Sequence, residues 1–351
     1  FLSGCTGTEW PTTTTPHPPT APPTGQLVLR FLVHVLNCVS HQVGLSLNGF
    51  IMKFYFCGAR QQASSNLMIY MKNLTAADFL LCLSLPLRIT HYGSISVNVR
   101  KLYCSFGASV LFLNMYASIL FMGYIAANRY LKIVHPSRTH ILQTLRAAHI
   151  ISVVTWICLL APALTSNILF FLNQKPLTSV PWRCFPLYSE SVCLVQKIIH
   201  SFSAIIFLLV LISLVFFYYS TSHRVFLAQQ KQLTSSGSEK LLKSRRNMLV
   251  LVSIFCVCFA PYHLIRLPYI FLQTSCSVRQ VLYYLKEVAT MVSVFNVCLD
   301  PLVYFFLCKT VRARVSMKMA SIRPNIHHRD KQMENRKKQL ESLKTKSETN
   351  Q

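Results

Sequence analysis

Seven stretches of this chain are each long and apolar enough to cross a bilayer, and no other feature restricts its fold as tightly. They run roughly over 28–57, 66–92, 102–133, 147–171, 192–222, 245–273 and 281–307. A hydrocarbon core of about 30 Å takes about 20 predominantly apolar residues per helix. Lipid offers backbone N–H and C=O groups no partner, so a span is either a helix or a strand of a closed barrel. Barrel strands alternate over about ten residues, and the runs Ile205–Tyr219 and Met248–Phe259 do not alternate. The expected fold class is an all-α membrane protein, a seven-transmembrane helix bundle.

Charge supports that reading and fixes an orientation. Only 13% of the residues are charged, against about 25% in soluble domains, yet the formal net charge is +25. Such an excess suits either nucleic acid or basic loops on a membrane surface, and the apolar stretches decide for the membrane, with no nucleic-acid partner. Of the 35 Lys and Arg, 25 fall on the side that receives the C-terminus and ten on the other. The positive-inside rule then places the N-terminus outside and the C-terminus in the cytosol. The segment His223–Arg246 alone holds six basic residues and one acidic one, and the tail from Lys309 holds twelve basic residues.

The flanks differ in kind. Residues 1–26 are rich in Thr and Pro and suit a disordered extracellular stalk. No cleavable leader is visible ahead of the first span, which is expected to direct insertion itself. Residues 309–320 read as a short amphipathic helix on the inner leaflet, an eighth helix. Residues 321–351 read as a disordered tail with Ser342, Thr345, Ser347 and Thr349 open to phosphorylation and hence to arrestin. Asn73-Leu74-Thr75 matches the N-glycosylation pattern but lies within the second span, where no glycan is added. Most of the 13 cysteines lie inside apolar segments as small core residues.

Polar groups inside spans are costly and usually mark function. Asp78 and Asp300 are the two carboxylates well inside the membrane, and Asn48, Ser118 and Asn296 share their depth. Two readings fit: a shared polar cluster that can hold a small cation, or a hydrogen-bonded network that glues helices together. Asn128-Arg129-Tyr130 ends the third span, where an arginine either exchanges partners between two states or snorkels to the interface. Pro261 and Pro301 each remove a backbone hydrogen bond mid-helix and permit a kink. Near the outer side, His263, Arg266 and Tyr269 share a face of the sixth span, with Lys286 opening the seventh and Arg88 in the second. A basic, aromatic cup of this kind suits an anionic ligand, because Arg pairs bidentately with phosphate or carboxylate.

Together these pieces resemble the rhodopsin-like family of G-protein-coupled receptors. The resemblance runs from about residue 40 to about 318 and rests on seven motifs in register: Asn48, Asn73–Asp78, Cys104, Asn128-Arg129-Tyr130, Trp156, Cys258-Phe259-Ala260-Pro261 and Asp300–Tyr304. Within it, Asn73–Pro86, Asn114–Ile133, Cys258–Thr274 and Leu285–Cys308 are most similar to the purinergic-receptor cluster, with its nucleotide, nucleotide-sugar, peptide and lysophospholipid relatives.

The resemblance implies a receptor domain over 27–308 and a plasma-membrane location. It implies a ligand pocket lined by Arg88, Phe112, Tyr116, His263, Arg266, Tyr269, Lys286 and Glu287. It places Asn48, Asp78, Ser118, Asn296 and Asp300 on the family's sodium site, with Asp78 as the ligand of Na+. It implies that Asn128, Arg129, Tyr130, Tyr218 or Tyr219, Phe255, Phe259, Pro261, Pro301 and Tyr304 carry activation and coupling to a heterotrimeric G protein. Likeness to the cluster favours the inhibitory class. It implies disulfides Cys104–Cys184 and Cys5–Cys276. The ligand it favours is a nucleotide or nucleotide sugar, with a lysophospholipid or peptide as the alternative.

Four departures accompany it. Asn128 replaces the usual Asp, which removes a restraint on Arg129 and predicts raised basal activity. The fifth span lacks the family's proline. Phe112 stands where nucleotide receptors of this branch often place a tyrosine, and Tyr188 where they often place a lysine. A transporter would show repeats and broken helices meeting at mid-membrane, and these are not evident. No H-E-x-x-H pair, phosphate-binding Gly loop or nucleophile elbow occurs, so an enzyme is not expected.

Overall fold

In the computed structural model the described residues are 24–57, 65–93, 96–134, 143–173, 184, 188–230, 235–271, 276–307 and 312. Expectations for the stalk, the Cys5–Cys276 pair, the eighth helix and the phosphorylatable tail lie outside the described residues. The chain divides into two units, Phe1–Val303 and Tyr304–Gln351.

The described residues form helices and no strand. They are α1 (Thr24–Cys57), α2 (Asn66–Gly93), α3 (Val97–Leu102), a π turn (Tyr103–Gly107), α4 (Ala108–Val134), α5 (Leu145–Leu172), α6 (Glu190–Gln230), α7 (Ser235–Phe271), α8 (Cys276–Val294) and α9 (Asn296–Leu307). Seven helical stretches are long and apolar enough to cross a membrane, the third running through α3, the π turn and α4, and the seventh through α8 and α9. The third begins at Val97 rather than 102, and α6 continues to Gln230. Hydropathy marks where a helix leaves hydrocarbon, whereas the backbone keeps its hydrogen-bonded ladder past that point.

Burial is inverted relative to a soluble protein. Large apolar side chains such as Phe31 (67% exposed) and Leu264 (72%) face outward, while Asn48, Asp78, Ser118, Asn296 and Asp300 are fully buried. One core cluster joins α1, α2, α8 and α9 through Val33, Leu81, Leu85, Met291, Val294 and Val297.

Prolines in the spans organise the contacts between helices. Pro86 has no N–H for the carbonyl of Cys82, and the Nδ1 of His41 on α1 supplies one at 2.9 Å. Pro301 leaves the Val297 carbonyl free in the same way, and Asn48 Nδ2 donates to it at 2.8 Å. Beside Pro261, the Ser293 hydroxyl donates to the Cys258 carbonyl at 2.8 Å. Helix-breaking residues are tolerated in lipid where neighbouring helices re-satisfy the freed groups.

Asn73 is committed to packing. Its Oδ1 accepts from Trp156 Nε1 at 2.9 Å, and its Nδ2 donates to Ile69 O at 2.8 Å and Ser152 Oγ at 3.2 Å. The amide therefore joins α2 to α5.

Candidate functional site

Cys104, in the π turn, is bonded to Cys184, which ties the start of the third span to the segment before α6. Tyr188 packs beside this bond, edge-on to Phe170 at 5.9 Å, and its hydroxyl donates to the Cys104 carbonyl at 3.1 Å. Burial pushes its phenol pKa up. Tyr188 is thus used to brace the disulfide.

Below it, a polar cluster gathers from several helical segments. Glu287 on α8 is buried and accepts from the Tyr92 hydroxyl at 2.5 Å. Its carboxylate also pairs with the Arg88 guanidinium at 3.6 Å and with Lys286. The Lys286 ammonium lies 4.7 Å from the Tyr283 ring centre and 5.6 Å from that of Tyr269. Arg266 approaches the same Tyr269 ring at 5.9 Å and donates to His200 Nε2 at 2.9 Å. Since a guanidinium only donates, His200 accepts on that nitrogen and is neutral. Three cationic side chains therefore share this region with one carboxylate, and Arg266 has no carboxylate partner among the described residues.

His263 lies a turn deeper than Arg266. Its Nδ1 is 2.8 Å from the Phe259 carbonyl, which only accepts, so the ring proton sits there and Nε2 accepts from the Tyr116 hydroxyl at 2.8 Å. Its ring stacks flat on Phe207 at 4.0 Å, Phe207 stacks on Phe255 at 5.6 Å, and Phe255 meets Phe259 edge-on at 5.4 Å. Phe112 packs on Tyr116 at 4.6 Å and edge-on to His200 at 6.2 Å. An aromatic column thus descends from the cationic cluster to the turn that precedes Pro261.

At mid-membrane, Asp78 Oδ1 accepts from Asn114 Nδ2 at 3.1 Å, and Asp300 Oδ2 from Asn296 Nδ2 at 2.8 Å. Both carboxyls are fully buried. Ser118 Oγ and the side-chain oxygens Asn48 Oδ1, Asn296 Oδ1 and Asp300 Oδ1 are buried with no hydrogen-bond partner among the described residues. This all-oxygen set of buried groups fits a small hard cation.

At the far end of α4, the Asn128 side chain is buried and neither of its polar atoms makes a hydrogen bond among the described residues. Arg129 beside it is half-buried. Tyr130 stacks on Phe217 at 4.8 Å and is 3.5 Å from Ser220 Oγ. Of the two candidate tyrosines on α6, Tyr218 is half-buried. Tyr219 is 68% exposed against His223, so the structure does not bring it to the bundle interior. Tyr304 lies in the last turn of α9.

Residues 48–304 match the profile of the 7 transmembrane receptor (rhodopsin family). This chain belongs to that family. As a rhodopsin-family receptor it is a multi-pass membrane protein and not an enzyme. It is 33% identical over 304 residues to purinoceptor 14 of Bos taurus, covering 85% of this chain and 88% of that one. It is 28% identical to purinoceptor 13 of Rattus norvegicus over 82% of this chain and 84% of that one. It is 25% identical to the platelet-activating factor receptor of Rattus norvegicus over 83% of this chain and 86% of that one. The receptor therefore stands in the purinoceptor-like class.

The structure brings in residues that reading along the sequence did not single out. His200 is the partner of Arg266, Tyr92 the partner of Glu287, Asn114 the donor to Asp78, and Phe207 the ring between His263 and Phe255. Each acts across a helix boundary, and hydropathy gives depth in the bilayer but no rotation about the helix axis. A helical-wheel projection of α6 was the available signal for His200, which is buried whereas Lys197, a turn away, is exposed.

Proposed function

We propose that this receptor takes an extracellular anionic ligand, a nucleotide or nucleotide sugar, at the disulfide end of the bundle and signals through the inhibitory class of heterotrimeric G proteins. The observation that carries the reading is Arg266: a guanidinium among tyrosines with a neutral histidine as partner and no carboxylate. A phosphate supplies the bidentate acceptor that such a group lacks. Arg88 and Lys286 stand ready for a second phosphate or a sugar hydroxyl, at present held by Glu287. Similarity to the purinoceptors supports the nucleotide class.

Signal transfer follows the aromatic column. Ligand pulled toward Arg266 and Tyr116 shifts His263, Phe207 and Phe255 as one stacked unit, and Pro261 is the hinge about which α7 swings. The ligand does this only to the extent that it binds the swung state more tightly. Arg129 and Tyr218 then face the cytosolic cleft, with Tyr304 contributing to coupling as in the family. Asn48, Asp78, Ser118, Asn296 and Asp300 would hold a Na+, whose charge would balance the buried carboxyls and whose binding would favour the unswung state. Arrestin binds the phosphorylated tail.

A lysophospholipid is the second reading, favoured by the apolar floor of Phe112 and Phe207 and by similarity to the platelet-activating factor receptor. The test is G-protein activation in cells expressing the chain, with and without pertussis toxin. The panel is ADP, ATP, UDP, UDP-glucose, lysophosphatidylserine and lysophosphatidic acid. A toxin-sensitive response to a nucleotide supports the proposal. A response to lipids alone moves the ligand to the second reading.

A further inference from the structure

We infer that His200 is the positioning residue for Arg266, and that it ties the binding of an anion there to the uptake of a proton. The inference rests on the reading of Arg266 as the group that takes the ligand's charge. Arg266 on α7 is half-buried, and its guanidinium donates to His200 Nε2 on α6 at 2.9 Å. His200 is buried, and an edge-to-face contact with Phe112 on α4 at 6.2 Å braces its ring. The lone pair on Nε2 therefore has a set direction, and it aims Arg266.

The three cations of this cluster are held in two different ways. Arg88 and Lys286 share the carboxylate of Glu287, which fixes them and also offsets their charge. Arg266 is fixed by a neutral imidazole, which accepts a hydrogen bond but brings no negative charge. Its Nε is buried with no hydrogen-bond partner among the described residues. The guanidinium is thus held in place with its full charge and an unused donor, the state in which a planar fork best receives phosphate or sulfate.

A histidine in that place also titrates, and it is the side chain that does so nearest physiological pH. Once protonated, both ring nitrogens donate, so the bond from Arg266 is lost and two cations face each other. The other titratable groups that act on His200 are His263 on α7 and Lys286 on α8, and neither is acidic. His263 is a neutral ring, with Nδ1 on the Phe259 carbonyl and Nε2 accepting from Tyr116. The carboxylate of α8, Glu287, is already shared by Arg88 and Lys286. On α6 itself Glu190 and Lys197 are exposed, and α4 meets His200 with the uncharged ring of Phe112. An anion on Arg266 supplies the negative charge that a protonated His200 otherwise lacks. By reciprocity, proton and anion then strengthen each other's binding.

The test measures binding of two anions whose charge is the same at about pH 6 and about pH 7.5, sulfate and UDP-glucose, to the purified full chain. Sulfate is followed by its effect on the thermal unfolding midpoint at constant ionic strength, and UDP-glucose by direct binding. Wild type is expected to bind at about pH 6 at least about fivefold more tightly than at about pH 7.5. His200→Ala, which leaves Arg266 unaimed, weakens binding at the higher pH by about two- to tenfold. His200→Gln, whose amide oxygen accepts from Arg266 but does not titrate, restores that loss and abolishes the gain in acid. A residue that only fills space would not separate the two effects. An acid gain that persists in His200→Gln, a wild type without one, or a wild type that binds neither anion overturns the inference. Acid-strengthened sulfate binding without UDP-glucose binding upholds it and rejects the nucleotide reading. UDP-glucose bound equally at both pH values does the reverse.

Discussion

The side-chain amide of Asn48 donates at 2.8 Å to the backbone carbonyl of Val297, the carbonyl that Pro301 leaves without its helical partner. A motif residue in the first span thus completes the hydrogen-bonding of the last, and the Val297 carbonyl next to the proline is held by a side chain rather than by its own ladder.

Replacing Asn48 with Leu is therefore expected to leave the Val297 carbonyl bare and to lower stability by about 1–3 kcal/mol. Adding Pro301→Ala restores an N–H for that carbonyl and recovers part of the loss. Thermal unfolding of the purified receptor checks this; strictly additive effects of the two changes would show that Asn48 and Pro301 are not linked.

Glu287 holds Arg88 and Lys286 together in the absence of ligand. Glu287→Gln strands the buried Arg88 charge, a loss of about 3 kcal/mol, at the lower end of what breaking a buried pair costs. An anionic ligand then replaces the missing charge, so its thermal stabilisation of the variant should exceed that of wild type. An unchanged apo midpoint would mean that the carboxylate does not hold the pair.

Asn128 makes no side-chain hydrogen bond among the described residues, so Arg129 receives no charged restraint from its neighbour. Asn128→Asp supplies one and is expected to lower ligand-free G-protein activation. Equal basal signalling in the two proteins at matched expression refutes the idea.

Asp78→Asn removes one of the two carboxyls at mid-membrane. Agonist affinity in membranes of the wild-type receptor should fall as Na+ replaces a bulky organic cation at constant ionic strength, and the variant should lose that dependence. A variant that keeps the full sodium effect would place the ion elsewhere.

Much of this was legible along the chain. Lengths of apolar runs sufficed for the seven spans, because lipid leaves so few ways to satisfy a backbone. Depth placed Asp78 with Asp300, and both are fully buried in the structure. Helical phase placed Arg266 and Tyr269 together, as the structure has them. It put His263 on the same face, a turn deeper, without showing that His263 is bound to Tyr116 and stacked on Phe207. The counter-ion role of Glu287 was not legible, since it depends on how α2 is rotated toward α8. Tyr218 and Tyr219 were indistinguishable in sequence, and only the rotation of α6 separates them.

The central claim is that Arg266 takes the ligand's anionic group. Concentration–response curves for G-protein activation by the effective nucleotide, in wild type and Arg266→Ala at equal surface expression, test it most directly. Loss of a charge-assisted pair worth about 1.5–3 kcal/mol predicts a potency lower by about ten- to 150-fold, with the basal signal unchanged. Wild-type potency in Arg266→Ala would contradict the account.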